Sequence, residues 1–434
     1  MIKILKSNSL TFCVLIIVMG YSSCKKKEQD PAPVIQGNSE LATSNYIYDL
    51  MKQVYLWDEK LPLPFDVNAH KDAESTLDAL LYKSLDRWSY ITDAKEFDDV
   101  FKEGQYVSYG YLLDQDPADG AIKVCFVYKG SPMANAGVER SYQLLSLNGV
   151  DLNTLIINGT IYEQLENPSN VFEFSDLNGN IKTLTISKAL VNINTVVHKE
   201  VIRLGDKNVG YLVFNSFLET SEAELNEAFA FFNTNAVTEL ILDLRYNGGG
   251  SVEVAQHLAG LLAPQHIGKI LHKSKHNTQL ASLDSTYLIN QAPGGLPLQQ
   301  LIVITSENTA SASELIINGL RPYMPVKTIG SRTNGKPVGM YGFYSPDKKY
   351  AILPICFSST NADGLGGYFN GIGVDSQKKD NISVPFGSPN EDCLAEGLYY
   401  LKNNSFTGAN ARIESTFTKP IIELKGIAAE AGCL

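Results

Sequence analysis

Tryptophan is nearly absent from this 434-residue chain, with two, and histidine is scarce, with six. None of His70, His198, His257, His266, His272 and His276 falls in an H-E-x-x-H or similar spacing, so a histidine-held metal is not expected. The six cysteines include no C-x-x-C pair, which removes the usual zinc frame. Neither a metal nor any other cofactor is expected. Basic charge is in short supply: 36 lysines and arginines face 47 acids, a net charge of −11. That balance argues against a nucleic-acid partner, which would need a basic face. Long apolar runs are missing as well. Leu10–Met19, near the start, is about 10 residues long, too short to span a bilayer comfortably.

That short run fits an export signal. Lys3 and Lys6 precede it, and Tyr21-Ser22-Ser23-Cys24 follows in a form that resembles a bacterial lipoprotein box. The expectation is a signal peptide over 1–23, with Cys24 lipidated, then a polar, proline-bearing tether over 24–39. An ordinary signal cut near Ser23 is the alternative. The mature chain would be an exported cell-envelope lipoprotein, facing the periplasm or the cell surface, with the membrane a partner through its lipid. Cys125, Cys356, Cys393 and Cys433 would remain, and an exported chain permits them to pair. The length asks for two or three domains. Residues 40–103 read as an N-terminal helical domain, with Tyr46, Leu50, Val54 and Trp57 near helical spacing, a helix over Ala73–Ser84 and a short one over Phe97–Phe101. Residues 104–190 change to short strands and turns. Residues 195–402 alternate strand and helix, as an α/β core does. Residues 403–434 are a C-terminal tail without assignment.

Two stretches of the α/β region carry candidate chemistry. Leu301–Thr305 is an apolar, β-branched run, followed by Thr309-Ala310-Ser311-Ala312-Ser313-Glu314 and then an apolar helical run. Ser311-x-x-Glu314 reads as a capping box. The same helix start offers unpaired N–H groups and a positive dipole end, which a developing oxyanion needs. From the residues alone, cap and nucleophile both stand, and Ser311 cannot be told from Ser313. Upstream, the strand Leu240–Leu244 runs into Tyr246-Asn247-Gly248-Gly249-Gly250-Ser251 and a helix over Val252–Leu262. Three consecutive glycines let a backbone approach a ligand closely. A phosphate cradle is open there too, although the turn has no Walker lysine and no G-x-G-x-x-G.

Together, Asp243-Leu244-Arg245-Tyr246-Asn247-Gly248-Gly249-Gly250, Thr309–Glu314 and Ile329-Gly330-Ser331-Arg332-Thr333-Asn334-Gly335-Lys336 resemble the C-terminal processing peptidases, the tail-specific serine proteases of family S41. The resemblance covers roughly residues 40–402. It implies an α/β core of the crotonase and Clp protease type, with protein or peptide substrates. It places the nucleophile at Ser311 and the general base at Lys336. It places the oxyanion donors at Gly249, with Gly248 as the alternative, and at Ala312. Residues 104–190, with Gly130-Ser131-Pro132 and Leu144–Gly149, resemble the PDZ domain that the family carries at this place. Such domains capture a peptide C-terminus by strand addition, here through Tyr109, Gly110, Tyr111 and Leu112. Two positions depart from the family pattern: Pro322 stands where an acid is frequent and Met340 where a glutamine is frequent.

A lysine near its ordinary pKa of about 10.4 cannot accept a serine proton at neutral pH. Burial away from acids would lower that value, because desolvation disfavours the charged form. The sequence therefore supports a lipid-anchored serine endopeptidase. A non-catalytic peptide-binding lipoprotein that retains the protease fold is the second reading. It rests on Pro322 and Met340.

Overall fold

The computed structural model describes residues 36–408, so the lipoprotein box with Cys24, most of the tether and the end of the tail lie outside the described residues. The α/β core is built on six strands in the order Val196–Leu204, Lys207–Phe214, Glu239–Asp243, Leu301–Thr305, Val326–Gly330 and Ser376–Gln377. The first pair is antiparallel and the remaining neighbours are parallel. Side chains alternate across this sheet. Leu240, Leu242, Leu301 and Val303 face the core made with helices Ser221–Thr234, Val252–Leu262 and Ala312–Leu320. Ile241, Ile302, Ile304 and Ile329 face the opposite core, with helix Asp392–Asn403. Burial on both faces is why these strands read as unbroken apolar runs rather than alternating ones.

The expected N-terminal helices are present as Gln36–Val54, Ala73–Leu80 and Ala94–Phe101. Ile47, Leu50, Met51 and Val54 form the buried stripe of the first. They pack on Val338, Ile352, Ile355 and Phe357 of the α/β region, so this segment shares a core with its neighbour. Strand Tyr90–Asp93 also pairs with Tyr350–Leu353.

The β-rich region has its own core, from Tyr109 to Ile186. Its sheet runs Tyr111–Gln115, Ile122–Val127, Gln143–Leu147, Ser169–Ser175, Ile181–Ser187, and a ribbon of Gln105–Ser108 with Ala189–Asn192 closes its base. The run Val107–Leu112 is broken at Tyr109-Gly110, between strands Gln105–Ser108 and Tyr111–Gln115. Gly110 has φ +80°, and a Cβ there would lie 2.2 Å from Ser131 Cβ, so only glycine makes this turn.

Candidate active site

The three stretches singled out by sequence lie at the C-terminal ends of neighbouring parallel strands, Glu239–Asp243, Leu301–Thr305 and Val326–Gly330. In open α/β sheets this is where ligands bind. Ser311 is the last residue before helix Ala312–Leu320 and has φ +53° and ψ −115°. A non-glycine residue held there costs about 1–3 kcal/mol, and such strain clusters at working sites. The sharp turn from strand to helix leaves Ser311 partly open to solvent, whereas Ser313 is fully buried and donates to Asn247 O at 3.1 Å.

Glu314 does more than close a capping box. Its side chain is fully buried, and Oε2 accepts from Ser311 N at 3.0 Å and from Lys336 N at 2.7 Å. Oε1 accepts from Thr333 Oγ1 at 2.5 Å and Gly335 N at 2.8 Å. Burial raises the Glu314 carboxyl above its ordinary value, opposed by the Thr333 hydroxyl and the three backbone N–H groups. One oxygen thus ties the backbones of Ser311 and Lys336 together. Lys336 itself is buried, 6% exposed. The expectation of a lysine remote from acids is amended here: an acid lies against its backbone, with its lone pairs occupied by four donors. Thr333 Oγ1 also accepts from Ile372 N at 2.7 Å, which ties the lysine loop to the Gly371–Gly373 turn.

Gly249 sits against Ser311. A Cβ on it would lie 2.7 Å from Ser311 Cβ and 3.1 Å from Ala312 N, and its φ is +111°. Its N–H donates to Asn247 Oδ1 at 2.9 Å, so this expected oxyanion donor is engaged in the described conformation. The Ala312 N–H, at the first position of its helix, has no hydrogen bond among the described residues and adjoins Ser311. Asn247 holds both loops together: Ala310 N donates to its carbonyl at 3.1 Å, and its Nδ2 donates to Phe214 O at 2.9 Å.

Other predicted positions are placed as follows. Tyr109, Gly110, Tyr111 and Leu112 are all buried, and Tyr109 OH donates to Asn167 O at 2.6 Å. Strand Tyr111–Gln115 is nevertheless an edge of its sheet. Pro322 follows the end of helix Ala312–Leu320, and Met340 ends strand Val338–Met340; both are half-buried. The histidines are engaged elsewhere. His276 links Asp284 (3.0 Å) to Tyr341 OH (2.9 Å), His257 meets Asn226 and His272 meets Ser359. Cys125, Cys356 and Cys393 are free, buried thiols, and burial pushes Cys356 up to about 12. Such thiols are inert at neutral pH. Glu314, Asn247 and Asn334 were missed as site residues. Only Glu314 carried a signal, an acid opening a helix that is otherwise apolar.

A half-buried serine on a strained turn, a buried lysine and a helix-start N–H are gathered at the strand ends of an α/β core. Comparison with known proteins narrows the class. Residues 208–360 match the model of Peptidase family S41, and residues 42–90 match the Peptidase S41 N-terminal domain. The carboxy-terminal processing protease CtpA of Bacillus subtilis (strain 168) is 25% identical over 311 residues, 69% of this chain and 61% of its own. The carboxyl-terminal-processing protease of Picosynechococcus sp. PCC 7002 is 23% identical over 253 residues, 57% of this chain and 58% of its own. The chain thus spans less than two thirds of the length of these relatives. A crystal structure assigned to the S41 proteases, from Bacteroides fragilis NCTC 9343, shares the fold with a TM-score of 0.67 at 24% identity, over 87% of this chain and 100% of that one. By these matches the chain is similar to peptidase family S41 and to the CtpA-type processing proteases.

Proposed function

We propose that the chain is a serine endopeptidase that cleaves protein or peptide substrates through a Ser311–Lys336 dyad. The observation that carries this reading is the Glu314 carboxylate shared by the Ser311 and Lys336 backbones. A carboxylate with four donors, buried between two loops, fixes both loops in register, as a nucleophile and base that act together require. Lys336 takes the Ser311 proton while Oγ attacks the scissile carbonyl. The tetrahedral oxyanion receives the Ala312 N–H and, once Asn247 releases it, the Gly249 N–H. The lysine returns its proton to the leaving amine, and water then hydrolyses the ester of Ser311.

The β-rich region is PDZ-like in this reading and presents substrate C-termini. Tyr109–Leu112 hold the carboxylate, and the edge strand Tyr111–Gln115 accepts the peptide as an added strand. Cys24 carries the lipid anchor. The assembled site favours catalysis over a purely binding role.

An activated fluorophosphonate ester tests the dyad. It should label the wild type and not Ser311→Ala, with Ser313→Ala losing far less. Lys336→Arg should be as inactive as Lys336→Ala, because a guanidinium does not deprotonate. The wild-type rate should rise with pH and then level off. Full activity in Lys336→Arg would move the search for a base to other residues.

A further inference from the structure

Asn334, two residues before Lys336, is held from two sides. Its N–H donates to Thr309 O at 2.9 Å and its Nδ2 to Glu307 O at 3.2 Å, both on the nucleophile loop. The other side is the N-terminal region. Trp88 Nε1 donates to Asn334 Oδ1 at 3.1 Å, and Arg87 Nη2 donates to Asn334 O at 2.6 Å. The turn that carries these two donors is itself fixed. Asp86 is 2% exposed, and its carboxylate accepts from Trp88 N and Ser89 N at 3.0 Å each, Ser89 Oγ at 2.6 Å and Tyr55 OH at 2.7 Å. The Trp88 ring packs 6.3 Å from Phe369, and the Arg87 guanidinium stacks 4.7 Å from the Trp88 ring.

Apolar packing alone would dock the N-terminal helices, and Ile47, Leu50 and Met51 already supply it. The directional donors do something else. Residues 332–337, which carry the lysine, have no regular backbone pairing. Gly335, with φ +92°, is a natural hinge between Asn334 and Lys336. Glu314 pins the chain at Gly335 N and Lys336 N, and Trp88 with Arg87 pin Asn334 just before it, alongside Thr309 O and Glu307 O. Both sides must hold if the amine is to stay in place.

We propose that Trp88 and Arg87 are positioning residues for the general base, so that the N-terminal helical region belongs to the catalytic apparatus. This rests on Lys336 acting as the base. Loss of the Trp88 or Arg87 bond loosens the chain at Asn334, ahead of the lysine, and lets water reach the amine.

The test follows fluorophosphonate labelling of Ser311 in the full chain, across neutral and alkaline pH. Trp88→Phe keeps the ring on Phe369 and removes only the N–H donor. Near neutral pH it should label roughly tenfold more slowly, with the midpoint of the rate profile about one unit higher and the rates converging in alkali. Arg87→Ala, on an exposed side chain whose loss cannot unfold the protein, should shift the profile in the same direction. Trp88→Phe and Asn334→Ala remove one bond from its two ends, so their effects should not multiply. A wild-type profile in Trp88→Phe and Arg87→Ala, or a drop of equal size at every pH, overturns the proposal. Failure of the dyad itself reads differently: Lys336→Ala would then label at the wild-type rate.

Discussion

The site concentrates local cost on a few residues. Ser311 is held at φ +53°, and Glu314 gives up water for four donors. Asp114 is a further case, away from the dyad. It lies on the edge strand Tyr111–Gln115, and its Oδ1 accepts from Gln115 N at 2.7 Å. Burial pushes its carboxyl up to about 7, reinforced by the like charges of Asp380 and Glu307 and opposed by the Gln115 N–H and Asn308. Glu307 and Asn308 belong to the loop that leads to Ser311, so Asp114 reports on how closely the β-rich region approaches it. The folded value is raised above the unfolded one, so the contribution to stability is full below the unfolded value of 3.8 and is lost as pH rises through about 7. Asp114→Asn keeps an acceptor for Gln115 and removes the charge. It should stabilise the protein at mildly alkaline pH by on the order of 1–2 kcal/mol, discounted for partial exposure, and do little in mild acid. Thermal melts at the two pH values decide this. An equal change at both would mean that the carboxyl does not titrate there.

At the scale of elements, sequence and structure agree where local pattern decides. Leu301–Thr305 and Val252–Leu262 occur with the expected bounds, because an apolar run ending in small polar or glycine residues leaves one choice. Agreement fails where a distant contact decides. Val107–Leu112 looks continuous, yet Ser131 against Gly110 breaks it. Trp88 and Asn334 stand 246 positions apart, and no spacing rule joins them. Glu314 was legible as a cap, but its bonds to Gly335 and Lys336 depend on how the two loops meet. The edge strand Tyr111–Gln115 yields its own prediction. A peptide with a free apolar C-terminus should bind the Ser311→Ala protein roughly tenfold more tightly than its amidated form, the worth of one charge-assisted hydrogen bond. Calorimetric titration of both peptides checks it. Equal affinities would remove Tyr109–Leu112 from substrate recognition, and their burial would then be purely structural.

At the scale of the whole molecule, one buried charge network joins the β-rich region to the α/β core. Arg245, just ahead of the glycine turn, is fully buried and paired with Asp243 at 2.6 Å, Asp380 at 2.7 Å and Glu391 at 2.8 Å. Arg140 of the β-rich region reaches Asp380 Oδ1 at 3.3 Å, Tyr246 OH at 2.8 Å and Val384 O at 2.9 Å. Asp380 is the shared anion, also bonded to the Tyr246 hydroxyl. Burial alone would raise its carboxyl, but Arg245 and Arg140 outweigh burial and hold it below its ordinary value. A lowered folded value means stability that is present above the unfolded value and lost as pH falls through the folded one. The two partners therefore differ in what their removal costs. Arg140→Leu leaves Asp380 paired with Arg245, so it should cost about 1–3 kcal/mol, through lost hydrogen bonds alone. Asp380→Asn leaves the buried Arg140 guanidinium without its anion, while Arg245 keeps Asp243 and Glu391, and should cost about 3–5 kcal/mol. It should also blunt the loss of stability in acid, because the titrating group is gone. Urea unfolding of both variants, repeated at mildly acid pH, makes the comparison. If Arg140→Leu costs as much as Asp380→Asn, the anion is not shared in the way these distances describe. The β-rich region would then be docked chiefly by the apolar contacts of Phe126 and Tyr128 with Tyr246 and Leu218.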